Sequence, residues 1–480
     1  MKQTEWKIIY SNYSGVSARA INLLSKEAGR HLIREEMVYR IYVLPCEKEG
    51  AEVSKNAFFI GLYEESAAIR RFVSEQEVPN DGFAVKVVRN PDDNEGSFVF
   101  LTAHKEQELF YAVVSFLDDY IPKHAPFGGA NSMPDLIFDR PLSEYTYSES
   151  PDHKTRSVFT WGHSINNYRA YIDNMARVKL NELILWNDHI PLNIDEITDY
   201  AHSYGISVIL GYSWGWREIG NKAEEITDES INRVKEIAIQ GYRDKYSHLN
   251  CDGIYFQSFT ERKEERVGGK LISQIVTEMV NEIAEELWKI TPGLRLIFGL
   301  HSTSVKNRLD EIAKVDPRIE ILWEDCGDFP FYYDSYVTSQ EKFEKTLDFL
   351  KQILSLRGGK GVGVVYKGVM MLDWSKVVSQ SGPYVMGENA EYIADHDRRM
   401  RAGAWRKYSA DWIRNGEYAY RVTRFIKENQ LNDTNMCLAG TFDGGIYLPF
   451  ALCAQMIRHI DEPFDALLQK VASRACIRVE

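Results

Sequence analysis

The 480-residue chain is long enough for two or three domains and a large core, and its 44% hydrophobic and 26% charged residues are ordinary for a globular protein. A net charge of −13 argues against nucleic acid and against general attraction to an anionic membrane, while leaving room for a local basic pocket and an acidic ligand. Six cysteines without a CxxC pair, and no HExxH or zinc-like spacing, point to buried thiols and to no metal or other cofactor. No run approaches eighteen apolar residues, so no membrane span is expected. "MKQTEWKIIYSNYSG" contains no long apolar segment, so the expectation is a cytoplasmic protein without a signal peptide, a leader trimmed earlier staying open.

Residues 1–130 alternate strand and helix. "WKIIY", "MVYRIYVLP" and "AFFIGLY" read as strands; "SARAINLLSKEAGRHL" and "ESAAIRRFVSEQ" read as helices. "GFAVKVVRN" and "SFVFLTAH" form a hairpin across "PDDNEG", and "KEQELFYAVVSFLDDYI" is an apolar-striped helix. This is a small α+β domain. "PKHAPFGGANSMPD" then reads as a linker.

From residue 156 seven strand–helix units follow, with strands "SVFTW", "ELILW", "SVILGYSW", "GIYFQSF", "LRLIFGL", "IEILW" and "GVGVVY". Consecutive βα units imply parallel strands with helical crossovers, and the span is close to the roughly 250 residues of a (β/α)8 barrel. An open doubly wound sheet is the other arrangement of the same pattern. The eighth strand is either "MCLAGTF" or a degenerate strand near "VMMLDW". The expected architecture is α/β: an α+β domain (1–130), a (β/α)8 TIM barrel (150–395) and a mainly helical C-terminal region (396–480).

Barrel enzymes carry their chemistry at the C-terminal ends of the strands. Here those ends read "TWGH" (Trp161, His163), "LWND" (Trp186, Asn187, Asp188), "YSWGW" (Trp214, Trp216), "FQSFTE" (Gln257, Glu261), "GLHSTS" (His301) and "LWEDCGD" (Trp323, Glu324, Asp325). Tyr366 and Lys367 close the seventh, with Asp373 and Trp374 beyond. Aromatic faces suit the C–H faces of sugar rings, and Asn, Asp, Gln and His suit their hydroxyls. Cleaving a glycosidic bond usually takes two carboxyl groups.

Glu261, beside Phe259 and Thr260, is the leading general acid; against this, "ERKEER" beside it is the signature of a solvated loop. Glu324 and Asp325 are adjacent and point opposite ways on an extended segment, so either is the partner carboxylate, with Asp373 in competition. Each His or Trp taken singly reads equally well as core; the joint pattern carries the signal.

"FTWGHSINNYRAYIDNMARVKLNELILWND" and "ITDYAHSYGISVILGYSWGW", preceded by a domain containing "AFFIGL" and "HKEQELFYAVVSFLDDYI", resemble the α-glucuronidases and the related β-hexosaminidase and O-GlcNAcase-type glycoside hydrolases. The resemblance covers about residues 30–375 and implies a general-acid Glu after the fourth strand, at Glu261, and carboxylates after later strands, at Glu324, Asp325 or Asp373. Hexosaminidases of this group place two adjacent acids after the fourth strand. Thr260 stands there instead, which speaks against substrate-assisted chemistry.

The reading is therefore a glycoside hydrolase acting on an oligosaccharide, with a uronic acid or N-acetylhexosamine among the candidate sugars. "RKYSADWIRNGEYAYRV" in the tail offers pocket walls or a homodimer surface. The rivals are a non-catalytic carbohydrate-binding barrel and a metal-dependent or Schiff-base barrel enzyme, the last using Lys367.

Overall fold

The computed structural model describes residues 6–29, 43–53, 55–124, 137–160, 163–186, 189–219, 223–324, 340–366, 382–387, 391–429, 434–440, 443–474 and 476–478. They belong to two compact units. One comprises Met1–Pro151, Ser203–Gly205 and Asp465–Arg478; the other comprises Asp152–His202, Ile206–Phe464 and Val479–Glu480.

The first unit holds a six-stranded sheet of β1 (Trp6–Tyr10), β2 (Cys46–Lys48), β3 (Asn56–Leu62), β4 (Phe83–Asn90), β5 (Asp93–Ala103) and β6 (Tyr145–Glu149), in the order β2-β1-β3-β5-β4-β6. Its helices are α1 (Gly15–Gly29), α2 (Ala67–Phe72) and α3 (Glu106–Ser115), the last running through a π turn into α4 (Ile121–His124). Alternation along β3 sends Phe58 and Phe59 to opposite faces. Phe58 packs on Trp6, Phe116 and Phe138, while Phe59 packs on Phe98 and Phe100. Phe72 of α2 stacks on Phe100, covering that second face. A strand covered on both faces needs a continuous apolar run, which "AFFI" supplies. β4 and β5 form the expected antiparallel hairpin. Most of "MVYRIYVLP" lies outside the described residues. β6 follows the expected linker and was not foreseen, because "YTYSE" is a short edge strand with little apolar content.

The second unit is a closed barrel of eight parallel strands, ordered β10-β13-β14-β15-β16-β7-β8-β9. These are β7 (Arg156–Phe159), β8 (Glu182–Trp186), β9 (Ser207–Ser213), β10 (Gly253–Gln257), β13 (Leu296–Leu300), β14 (Ile319–Trp323), β15 (Val362–Tyr366) and β16 (Met436–Ala439). A small hairpin of β11 (Arg266–Val267) and β12 (Lys270–Leu271) lies between β10 and β13. The helices following the strands are α5 (Tyr168–Arg177), α6 (Ile194–His202), α7 (Asp228–Gly241), α8 (Ile272–Ile290), α9 (Leu309–Ile312) and α10 (Gln340–Ser355). Then come α11 (Glu391–Asn415), α12 (Glu417–Glu428) and α13 (Leu448–Arg458). The eighth strand is the "MCLA" segment. It sits inside the region expected to be helical, so a boundary at 395 would cut the barrel.

Phe159, Ile184, Trp186, Ile209, Tyr255, Ile297, Leu322, Val365, Cys437 and Ala439 form one buried cluster inside the ring. At the N-terminal end, buried Glu182 accepts from Arg295 Nη1 and from Asn435 Nδ2 (3.1 Å), and Arg295 Nε donates to Glu320 Oε1 at 2.5 Å. Burial raises the Glu182 pKa, and Arg295 opposes that shift. This lattice ties four strand starts together, on the face associated with stability rather than chemistry. No helix among the described residues is long and apolar enough to cross a membrane.

Candidate active site at the C-terminal rim

The inward positions fix which strand-end residues reach the mouth. Tyr255 lies in the inner cluster, so Gln257, two residues on, points the same way and Phe256 points out. Trp214 stacks on that outward Phe256 at 3.6 Å, and Phe298 covers the other side at 5.2 Å. By the same alternation, inward Leu322 and Val365 turn Trp323 and Tyr366 outward. Trp323 meets Phe349 of α10, and the Tyr366 hydroxyl bonds Thr423 of α12 at 3.0 Å. Trp214, Trp323 and Tyr366 therefore sit in the layer between strands and helices, a correction to the expectation that they line a sugar pocket.

Glu324 follows β14 and is fully buried. Its Oε1 accepts from the Tyr255 hydroxyl and from Gln257 Nε2 (2.5 Å), and its Oε2 lies 3.1 Å from His301 Nε2. Burial, and then the Glu324 charge, push the Tyr255 phenol well above its ordinary range, so it stays a neutral donor. Gly299 of β13 makes the cluster possible: a Cβ there would collide with Tyr255 Oη and Glu324 Oε1.

Glu261 occupies the opposite extreme, its side chain 55% exposed. His301 Nε2 stands 3.9 Å from its Oε2, and Trp216 Nε1 donates to that oxygen at 3.4 Å. Ser304 clamps the preceding residue, its N–H and hydroxyl donating to the Thr260 carbonyl at 3.1 and 2.8 Å. Trp216 stands 6.4 Å from Trp186 and nearly perpendicular to it (77°). Gly211 leaves room for Trp186, since a Cβ there would fall 2.6 Å from its Cε3. Gly215, at φ +104°, turns the chain so that Trp216 faces outward, and Glu218 fastens the turn by accepting from Gly215 N (2.8 Å) and Ser213 Oγ (2.6 Å).

Glu261, Glu324, His301, Gln257, Trp186 and Trp216 thus converge. His163 does not join them: it follows β7 and is buried, with Arg401 acting on it instead of the two carboxylates. Burial, aided by Arg401, pushes its pKa down to about 3. Trp161, Asn187, Asp188, Asp325, Lys367, Asp373 and Trp374 lie outside the described residues. Tyr255, Gly299, Glu218 and Ser304 were not singled out from the sequence, although the i, i+2 relation of Tyr255 to Gln257 held a usable signal.

No family model matches the chain, and no curated protein matches its sequence. Solved structures do share its fold. A family GH115 4-O-methyl-α-glucuronidase, BtGH115A, with specificity for decorated arabinogalactans, aligns at TM-score 0.52 and 12% identity, over 98% of this chain and 60% of that one. CpGH84D aligns at 0.45 and 15% identity, over 78% and 58%. A GH20 exo-β-N-acetylglucosaminidase from Vibrio harveyi aligns at 0.43 and 10%, over 99% and 70%. The chain spans less than two thirds of the length of the first two.

Proposed function

We propose that this barrel is a glycoside hydrolase acting on an oligosaccharide, with Glu261 and Glu324 as its two carboxyl groups. The supporting observation is that one imidazole nitrogen, His301 Nε2, lies within 4 Å of an oxygen of each, at 3.9 and 3.1 Å. The pair divides naturally. Glu261, on a solvent-facing loop beside an indole, can reach a leaving-group oxygen and protonate it. Glu324, held by two donors on Oε1 and with His301 beside Oε2, is the stationary anion that stabilises positive charge at the anomeric carbon or attacks it.

The His301 distances also cap the separation of the two Oε2 atoms at about 7 Å. Only the lower edge of the roughly 6.5–9.5 Å of inverting enzymes is then within reach, at an angle above about 135° at Nε2, whereas the about 5–5.5 Å of retaining enzymes needs an angle of about 90–105°. We read the pair as retaining. The fold shared with the α-glucuronidase noted above makes uronides the first substrates to try, with N-acetylhexosaminides beside them.

The test is a panel of 4-nitrophenyl glycosides, including glucuronides and N-acetylhexosaminides. Release of nitrophenol by the wild-type chain, lost in Glu324→Gln, supports the reading. Sugar binding without any turnover favours the non-catalytic binding barrel.

A further inference from the structure

Away from the carboxylate pair, residues following β7 and β16 and residues of α11 line a cavity. Its volume is about 250 Å3, and its walls include Asn167, Arg398, Arg401, Trp405, Gly444 and Tyr447. That is just below the roughly 300–1,000 Å3 of pockets for drug-sized ligands, so it suits a unit of monosaccharide size.

The cavity's frame is a polar network centred on Arg401. Arg401 donates from Nη1 to Asp443 Oδ1 at 3.0 Å and from Nη2 to the Ser164 carbonyl at 2.7 Å, and Nη2 also pairs with Asp397 Oδ2 at 2.7 Å. Asp443 Oδ2 accepts the backbone N–H groups of Asn166 (2.6 Å) and Asn167 (3.2 Å), and Asn166 Nδ2 donates to Asp397 Oδ2 at 2.8 Å. The acidic groups are thereby committed to the scaffold. Trp405 lies flat on Tyr447, with centroids 4.9 Å apart and planes 9° apart, giving the cavity an aromatic wall.

Arg398 is different. Its side chain is 61% exposed, and its ion pair with Asp395 Oδ1 is long, at 3.6 Å, while Arg399 pairs with the other oxygen, Oδ2. Asn167, also in the lining, uses Oδ1 to cap α5 through Ala170 N at 3.0 Å, so the polar group it has left to offer is its amide NH2, a donor. A cation, an amide donor and an aromatic wall around a small space form a recognition set for a hydroxylated anion.

We propose that this cavity is a second binding site, for a sugar unit carrying an anionic group, with Arg398 holding the charge. The anion is a carboxylate, sulfate or phosphate, all of which accept from a guanidinium. The proposal does not depend on hydrolysis at Glu261 and Glu324.

Calorimetry on the full chain with D-glucuronate, glucose 6-sulfate, glucose 6-phosphate and glucose as probes tests it. At least one anionic sugar is expected to bind ten-fold or more tightly than glucose, and which one does so identifies the anion. Arg398→Ala is expected to remove that preference, with Arg398→Lys restoring part of it. Gly444→Leu is a steric test, because Gly444 has an ordinary φ and a Cβ there meets nothing closer than Arg398 Cγ at 4.0 Å. It fills the space without touching the network and is expected to abolish binding. Equal affinity for glucose and every anionic sugar overturns the proposal. So does anionic-sugar binding unchanged in both Arg398→Ala and Gly444→Leu, or binding lost only in Glu324→Gln, which would assign it to the carboxylate pair.

Discussion

Tyr255 and Gln257 address the same oxygen of Glu324, and hydrogen bonds to a charged group are worth about 1.5–3 kcal/mol each. Tyr255→Phe keeps the ring in the core and removes one donor. It is expected to lower kcat by about 10–100-fold with little change in KM, as read from steady-state kinetics on the best glycoside in the panel. A purely structural Tyr255 would instead lower the melting temperature and leave kcat per folded molecule intact.

His163 carries a separate expectation at this scale. Its folded-state pKa, about 3, lies below the ordinary 6.5, so between those values the unfolded chain binds the extra proton and stability falls as pH drops. The slope approaches about 1.4 kcal/mol per pH unit below pH 6.5. Urea unfolding at pH 7 and pH 5 should show that His163→Gln removes most of this dependence, while the wild-type chain keeps it.

At the level of strands, one glycine and one arginine separate chemistry from stability. Gly299→Ala drives a methyl group into Tyr255 and Glu324, and overpacking of this kind costs about 1–3 kcal/mol. The barrel should still fold, with activity reduced at least a hundred-fold, because the collision falls on the proposed anion. Arg295→Met acts at the other end of the same strands, stranding buried Glu182 without its cation. A loss of about 3–5 kcal/mol is expected in denaturant unfolding, with unchanged kcat per folded molecule.

The seven strands from 156 to 366 were legible because a parallel strand covered on both faces must be a short apolar run, and helical stripes separate them. "MCLA" was harder to place: only four residues long, it lies between helical segments, and closure of the ring rather than its own pattern makes it the eighth strand. Trp214, Trp323 and Tyr366 were misplaced for a related reason. Strand-end composition says that an aromatic is near the rim, but only the register of the inner cluster says on which side of the sheet it points. Glu261 and Gln257 were singled out because polar groups after a buried strand stand out. Tyr255 was passed over because a tyrosine in an apolar run looks like core until its hydroxyl has a partner.

For the whole molecule, the fold is that of a barrel with a separate α+β unit, and the proposed activity rests on two carboxyl groups in contrasting surroundings. Proton NMR of the first product formed from an active glycoside should show the substrate's own anomeric configuration, in keeping with a closely spaced pair. The opposite anomer would rule out the retaining assignment.

The central claim is that Glu261 and Glu324 act together, and leaving-group dependence tests it most directly. Turnover of a 4-nitrophenyl glycoside and of the matching methyl glycoside would be compared in wild type, Glu261→Gln and Glu324→Gln. Losing a general acid costs about 10²–10⁴-fold where the leaving oxygen needs a proton. Glu261→Gln should therefore slow the methyl glycoside far more than the nitrophenyl one, and Glu324→Gln should abolish both. Unchanged turnover in either variant, or equal slowing of both substrates by Glu261→Gln, would contradict the assignment.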